Sequence, residues 1–343
     1  MWGEGAECWV LGAAWLLLNG AGRSRPWLVL WGMRPDLALH ALPLPEFFER
    51  LASTGLVDRL IALAADEDLG RDRKASSDLT TDACVPPSRR ATAHLVARSG
   101  GVMAGLVCLP RLLKAFTTDV TAQVLVQDGE RAAVKQIVAV LNGPLDEVLT
   151  LERTMLNIVG QLSGVATMTR TYADAVAGTK ASVCDTRKTT PGMRVLEKYA
   201  VRCGGGLCHR IGLYDAVLIK DNHIAGVAAR DLPALVTQAA ARARELSPGL
   251  AFIEVEVDSL EQLDALLTLP AGVMDIVLLD NMTPELMRRA VAMRDARAPK
   301  LELEASGGVT LATVRAIAET GVDRISVGAL THSAPCLDVA LDV

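Results

Sequence analysis

Between residues 185 and 223 the chain carries seven Lys or Arg (Arg187, Lys188, Arg194, Lys198, Arg202, Arg210, Lys220) against four Asp or Glu (Asp185, Glu197, Asp215, Asp221), with His209 and His223 added. The whole chain has a net charge of −5. A cationic stretch inside an acidic protein points to a small polyanionic ligand. Arg194, Lys198 and Arg202 are spaced by four, which predicts one solvated helix face. Arg187, Lys188, Arg210 and Lys220 fall at strand ends or in loops, where charge more often serves a ligand. Ser306-Gly307-Gly308 precedes a helix expected to start near Thr310, and Gly328 offers a second such turn. Glycine there lets the backbone approach a phosphate, and free N–H groups at a helix start bind it. Glu256 and Asp280 end neighbouring strands; two carboxylates beside phosphate turns suit Mg²⁺, the alternative being ion pairs with nearby cations. Cys203, Cys208 and His209 form no complete metal-ligand set.

The elements that must position these residues are strands alternating with helices. The strands expected are Ala181–Asp185, Ala216–Lys220, Phe252–Val257, Asp275–Asp280, Leu301–Ala305 and Arg324–Val327. The helices lie near Gly192–Val201, Leu232–Leu246, Leu260–Leu267, Pro284–Arg294 and Leu311–Thr320, after a long one over Leu151–Val176. Such alternation predicts parallel βα units. Six units without a GxGxxG after the first strand favour a β/α barrel, whose chemistry sits at the C-terminal strand ends. Every expected strand runs into charged, polar or glycine residues at that end. Upstream, Pro45–Asp66 reads as helical, 67–90 as a polar loop, and 45–150 as a small mixed α+β unit.

Composition narrows the function classes. The mild acidity argues against a nucleic-acid binder, and aromatics at 3% argue against a base-stacking platform. Seven cysteines (8, 84, 108, 184, 203, 208, 336) are odd in number and include no CxxC pair, which fits a reducing, cytoplasmic compartment. All five tryptophans fall in the first 31 residues, so residues 1–44 are read as an extension outside the main fold. Its apolar run, Trp9 to Leu18, is too short to span a bilayer. It also lacks the preceding positive charge of a secretory signal. No membrane or nucleic-acid partner is expected.

LERTMLNIVGQLSGVAT (151–167), DTRKTTPGMRVLEKYAVRCGGG (185–206), HRIGLYDAVLIKDNH (209–223), EVEVDSLEQL (254–263), DIVLLDN (275–281), EASGGVT (304–310) and ISVGALTHSAPCLDVAL (325–341) resemble the nicotinate-nucleotide pyrophosphorylases (carboxylating), or quinolinate phosphoribosyltransferases. DLTTD (78–82) and GVMAGL (101–106) resemble their N-terminal domain. The resemblance implies an α/β fold: an N-terminal α/β sandwich over 45–150, packed with the C-terminal tail, and an incomplete, open parallel β/α barrel over 151–343. It implies transfer of phosphoribosyl from phosphoribosyl pyrophosphate to quinolinate, with loss of CO₂, in NAD biosynthesis. It also implies a homodimer or higher homo-oligomer with shared active sites. By position, Arg153, Arg187, His209, Arg210 and Lys220 match the quinolinate-binding cations, Arg153 being donated by the neighbouring subunit. Lys188, Glu256 and Asp280 match residues that handle phosphoribosyl pyrophosphate and its Mg²⁺. Ser306, Gly307, Gly308 and Gly328 match the phosphate turns. The departures are Cys208, where the family often has Asn; Arg98-Ser99-Gly100, where it often has an acidic residue; and the first 45 or so residues.

The chemistry agrees with these residue types. Quinolinate is a dicarboxylate, which fixed Arg and Lys recognise. A carboxylate such as Glu256 suits an oxocarbenium-like anomeric carbon, and departing pyrophosphate needs cationic neutralisation. Three other readings stand beside this one: a homologue with another acceptor, a Schiff-base aldolase using Lys220, and a non-catalytic sensor.

Overall fold

A computed structural model describes residues 42–70 and 78–343. The extension expected over 1–44 lies outside the described residues up to position 41, its tryptophans included, as does 71–77 of the polar loop. The single helical run expected over Pro45–Asp66 is two helices, α1 (Leu44–Ala52) and α2 (Leu56–Leu69). Gly55 separates them at φ 74, a left-handed conformation that ends a helix and suits glycine. Next comes α3 (Leu79–Cys84), whose Asp78 cap accepts the Thr81 N–H at 3.0 Å. Then follow β1 (Arg90–Ala97), β2 (Gly101–Val102), α4 (Leu109–Phe116), β3 (Thr121–Val124), β4 (Arg131–Ala132) and β5 (Ile137–Pro144). Helix α5 (Leu145–Ala175) is 31 residues long and leads into the repeating part of the chain. It packs against β1 and β5 of the preceding part and against β6 of the part that follows.

From there the elements are β6 (Ser182–Cys184), α6 (Arg194–Cys203), β7 (Val217–Ile219), α7 (Leu232–Leu246), β8 (Ile253–Val257), α8 (Leu260–Leu266) and β9 (Ile276–Asp280). After them come α9 (Pro284–Arg297), β10 (Glu302–Ser306), α10 (Val314–Ala318), β11 (Arg324–Ser326), α11 (Ala329–His332) and β12 (Val339–Asp342). The six strands β6 to β11 form one parallel sheet in the order β6-β11-β10-β9-β8-β7. Leu207 adds one parallel bridge to Cys184 beyond β6, and no ladder among the described residues joins that segment to β7. The barrel is therefore open at this seam. The turn there is held by Asp215, which accepts the N–H groups of Ile211 (2.7 Å) and Gly212 (2.8 Å).

The N-terminal sheet is antiparallel in the order β12-β1-β5-β3, so residues 339–342 complete a sheet begun at residue 90. Arg98 and Asp342 close that edge with an ion pair at 2.5 Å. The returning tail lies against α5, where a Cβ on Gly164 would stand 2.0 Å from the Pro335 carbonyl oxygen. Leu337 donates its N–H to the Gly160 carbonyl at 2.9 Å. The two parts of the chain meet again at half-buried Asp128. It accepts N–H groups from Gly105, Leu106 and Val107, and the Tyr199 hydroxyl of α6 at 3.0 Å. Among the described residues no helix is long and apolar enough to cross a membrane.

Candidate active site

The C-terminal ends of the barrel strands open onto a cavity of about 690 Å³. Its wall contains Arg187, Lys188, His209, Arg210, Lys220, Glu256, Asp280, Ser306, Gly307, Gly308 and Gly328. One residue singled out in the sequence is not brought there. Arg153 lies on α5 with its side chain 69% exposed, 3.8 Å from Glu152 and outside the cavity wall.

Arg187 and Arg210 follow β6 and the Leu207 bridge; Arg210 is buried and Arg187 half-buried. Neither guanidinium makes a hydrogen bond or ion pair among the described residues, and the buried Arg187 Nε has no partner. Burial and the Arg187 charge push the Arg210 pKa down, against the pull of Asp215 and Glu254. Burying a cation without a partner is costly, so this corner of the cavity calls for anions.

The solvated face expected for Arg194, Lys198 and Arg202 is a correction. Lys198 is fully buried, its Nζ 2.5 Å from Asp185 Oδ1 and 3.1 Å from the His209 carbonyl. Arg194 donates to Thr189 Oγ1 at 2.9 Å, and Arg202 to the Leu42 carbonyl at 3.2 Å. The reason is tertiary: α1 and α5 pack against α6, which buries Lys198 and half-buries Arg194 and Arg202. Asp185 also accepts the His209 N–H at 2.8 Å, so the pair fixes the loop that carries His209 and Arg210.

Glu256 on β8 and Asp280 at the end of β9 stand on hydrogen-bonded strands. Glu256 is ion-paired with Lys220, as the alternative reading of these carboxylates expected. Asp280 Oδ2 accepts from Asn281 Nδ2 at 2.7 Å. Asn281 has φ 52, in the left-handed region, and its Oδ1 would stand 2.2 Å from a Cβ on Gly307. Only glycine fits at 307, where φ is 101. The helix expected near Thr310 begins later, as α10 at Val314. Residues 310–313 instead form a turn in which Thr313 Oγ1 accepts the Thr310 N–H at 3.0 Å. At the second turn, a Cβ on Gly328 would meet Lys188 Cδ (3.2 Å) and His332 Nε2 (3.0 Å).

The sequence reading missed His332, Ser326, Glu304 and the place of Glu254. His209 Nε2 lies 2.8 Å from Glu254 and 3.6 Å from Glu304, both fully buried. Glu304 in turn contacts Arg324 Nε at 2.8 Å and the Ser326 hydroxyl. Burial alone would lower the His209 pKa, but Glu304 and Glu254 outweigh it and raise it. Burial and the neighbouring Glu254 hold Glu304 above the usual carboxylate range. A signal was present: Glu254 stands two before Glu256 and Glu304 two before Ser306, so strand alternation puts each pair on one face. Cys203 is buried and Cys208 half-buried, both outside the cavity wall; their thiols are held high by desolvation, and they join no three-ligand cluster among the described residues.

Comparison with known proteins accords with this geometry. Residues 78–163 match the family model "Quinolinate phosphoribosyl transferase, N-terminal domain", and residues 165–342 match its C-terminal domain. A nicotinate-nucleotide pyrophosphorylase [carboxylating] of Mycobacterium leprae is 47% identical over 278 residues, covering 80% of this chain and 94% of that one. A probable enzyme of the same name from Bacillus subtilis is 38% identical over 81% of this chain and 90% of its own. The solved nicotinate-nucleotide pyrophosphorylase of Francisella tularensis superposes with a TM-score of 0.74 at 32% identity. That superposition covers 89% of this chain and 99% of that one. With both family domains matched in order around this cavity, the chain belongs to the quinolinate phosphoribosyltransferase family.

Proposed function

We propose that this chain transfers phosphoribosyl from phosphoribosyl pyrophosphate to quinolinate, giving nicotinate mononucleotide, pyrophosphate and CO₂. The observation that carries the assignment is the pair of unpartnered guanidinia of half-buried Arg187 and buried Arg210 in one cavity with two glycine turns. Two carboxylates on a flat ring are the natural complement of two fixed guanidinia, and the glycine turns suit phosphates. Lys220 adds a third cation at the wall. It is tied to Glu256, which speaks against a free amine for Schiff-base chemistry.

In this reading the ring nitrogen of quinolinate attacks the anomeric carbon as the bond to pyrophosphate breaks. The electron pair of that bond leaves with pyrophosphate. Glu256 sits where it can face the positive charge growing on the anomeric carbon, and Lys188 reaches the Gly328 turn to neutralise phosphate oxygens. The positive charge of the now quaternary ring nitrogen stabilises the electron pair left on C2 when CO₂ departs, and that pair takes a proton from water to complete the C2–H bond. The protein positions and neutralises; no covalent nucleophile is needed.

Glu256 and Asp280 would hold Mg²⁺. Oxygen-only donors on adjacent strands, with Asp221 and Asp258 around the adjoining cavity, suit a hard cation. Bound there, Mg²⁺ would neutralise pyrophosphate oxygens. Arg153, exposed and outside its own cavity, supports a homodimer or higher homo-oligomer in which it enters the neighbouring site. The six described cysteines are free, which supports a reducing compartment such as the cytoplasm.

The test is kcat/KM for quinolinate and nicotinate at saturating phosphoribosyl pyrophosphate and Mg²⁺. Nicotinate lacks the C2 carboxylate and would leave a buried cation unpaired. We expect discrimination of roughly 30- to 5,000-fold, from a loss of about 2–5 kcal/mol. Use of nicotinate within about tenfold, or roughly 1.4 kcal/mol, would defeat the dicarboxylate assignment.

A further inference from the structure

His209 lines the cavity, yet both its ring nitrogens face protein groups. Nε2 faces Glu254 at 2.8 Å, with Glu304 behind it at 3.6 Å. Nδ1 accepts the backbone N–H of Arg210 at 2.8 Å. A nitrogen that accepts carries no proton, which puts the ring's proton on Nε2, the nitrogen beside Glu254. Phe252 packs edge-on against the ring, 5.3 Å between centroids. The backbone is held as well, with the N–H on Asp185 and the carbonyl on Lys198. Both ring nitrogens thus have a protein group within 2.8 Å before any substrate carboxylate arrives. The next residue is the reverse case: the Arg210 side chain is unpartnered, and its backbone N–H hangs on the His209 ring.

We infer that Glu254 and Glu304 are positioning residues for substrate binding. They clamp His209, and His209, through the Arg210 N–H, sets where the Arg210 guanidinium meets a substrate carboxylate. The inference rests on the quinolinate assignment for what Arg210 binds. It assigns His209 a different part from that of a direct ligand. Two carboxylates on barrel strands below an anionic substrate are electrostatically unfavourable, and burying them is costly. A positioning role explains their presence: a side chain held from several directions keeps the geometry that a small displacement would lose.

The two explanations differ in sign. If Glu254 acts only through its charge, removing that charge lessens repulsion, and Glu254→Gln and Glu254→Leu both tighten quinolinate binding. If it acts by position, the outcome depends on the acceptor. Glutamine keeps an oxygen against His209 Nε2, and leucine does not. We expect Glu254→Leu to weaken quinolinate binding by about tenfold or more. Glu254→Gln should stay within about threefold of the parent, and the KM for phosphoribosyl pyrophosphate should hold in both. Quinolinate affinity is read by calorimetry on the full chain. Equal or tighter binding by Glu254→Leu overturns the inference. Should that variant fail to fold, ¹⁵N-histidine NMR on the unmodified protein decides. An Nδ1 that stays unprotonated with and without quinolinate supports the clamp, and one that gains a proton on quinolinate addition overturns it. Failure of the unmodified protein to bind or turn over quinolinate would strike the functional assignment instead, and the ligand-free NMR spectrum would still read the clamp.

Discussion

Arg294 and Arg210 are both buried arginines of the barrel, and their surroundings are opposite. Arg294, at the N-terminal ends of the strands, reaches Asp323 at 2.5 Å, the Leu301 carbonyl at 2.7 Å and Asp295 at 2.6 Å. Arg210, at the C-terminal ends, makes no side-chain hydrogen bond or ion pair among the described residues, and burial and the Arg187 charge outweigh the pull of Asp215 and Glu254. Lys198 follows the first pattern, locked to Asp185 away from the cavity mouth. A folded chain completes the charges that hold it together and leaves incomplete those a ligand must complete. Burial alone does not separate the two kinds of cation; the partner count does.

This contrast can be broken most directly at Arg294. Arg294→Met leaves Asp323 without its buried partner and should cost about 3–5 kcal/mol of stability. Chemical denaturation would show it, with kcat/KM of the folded fraction little changed. Arg210→Gln should do the reverse. It should lose about 2–5 kcal/mol in kcat/KM for quinolinate while the thermal midpoint holds or rises, because an uncompensated charge has been removed. A fall in stability comparable to that of Arg294→Met would erase the distinction.

Arg153 sharpens the contrast, since it is an exposed cation proposed to act in another subunit's cavity. Arg153→Ala and Lys188→Ala should each be nearly inactive. Mixed under subunit exchange, they should recover up to about a quarter of the parent activity, by random pairing of a symmetric dimer. Verified exchange with no recovery would place both residues in one chain's site.

The smallest effect concerns acid. Asp323 is desolvated, but Lys180, the Leu303 N–H and Arg294 hold its pKa below the ordinary 3.8. Its contribution to stability is complete above that value and disappears as pH falls through the lowered one. Thermal midpoints measured from pH 6 downward should drop less steeply below pH 4 in Asp323→Asn than in the parent. Equal slopes would show that the pairing of Arg294 does not depend on this ionisation.

Much of the barrel was legible because its strands are short apolar runs that end in charge. All six fall within about two residues of their expected bounds, and Leu232–Leu246 is a helix as expected. Lys198 was not legible. A spacing of four marks a helix face, but which face is buried is decided by α1 and α5, distant in sequence. Glu254 and Glu304 were hidden differently. A fully buried parallel strand is normally apolar, so acidic residues inside one carry meaning only once the clamp around His209 is visible. The break at Gly55 was readable from a single glycine, yet the apolar periodicity on either side masked it.

The return of β12 to the N-terminal sheet has a consequence in time. Arg98 and Asp342, which seal that edge, are 244 positions apart. At about 5–20 residues per second of synthesis, the outer edge of β1 waits roughly 10–50 s for its neighbour. The whole barrel is made in that interval. An unpaired strand edge is a template for pairing with other chains, so the nascent sheet is most exposed to misassembly while the domain after it folds. Contacts this distant in sequence also form slowly once the chain is free. The β1 edge is thus the place where a chaperone, or a crowded neighbour on the same message, has the longest opportunity to bind.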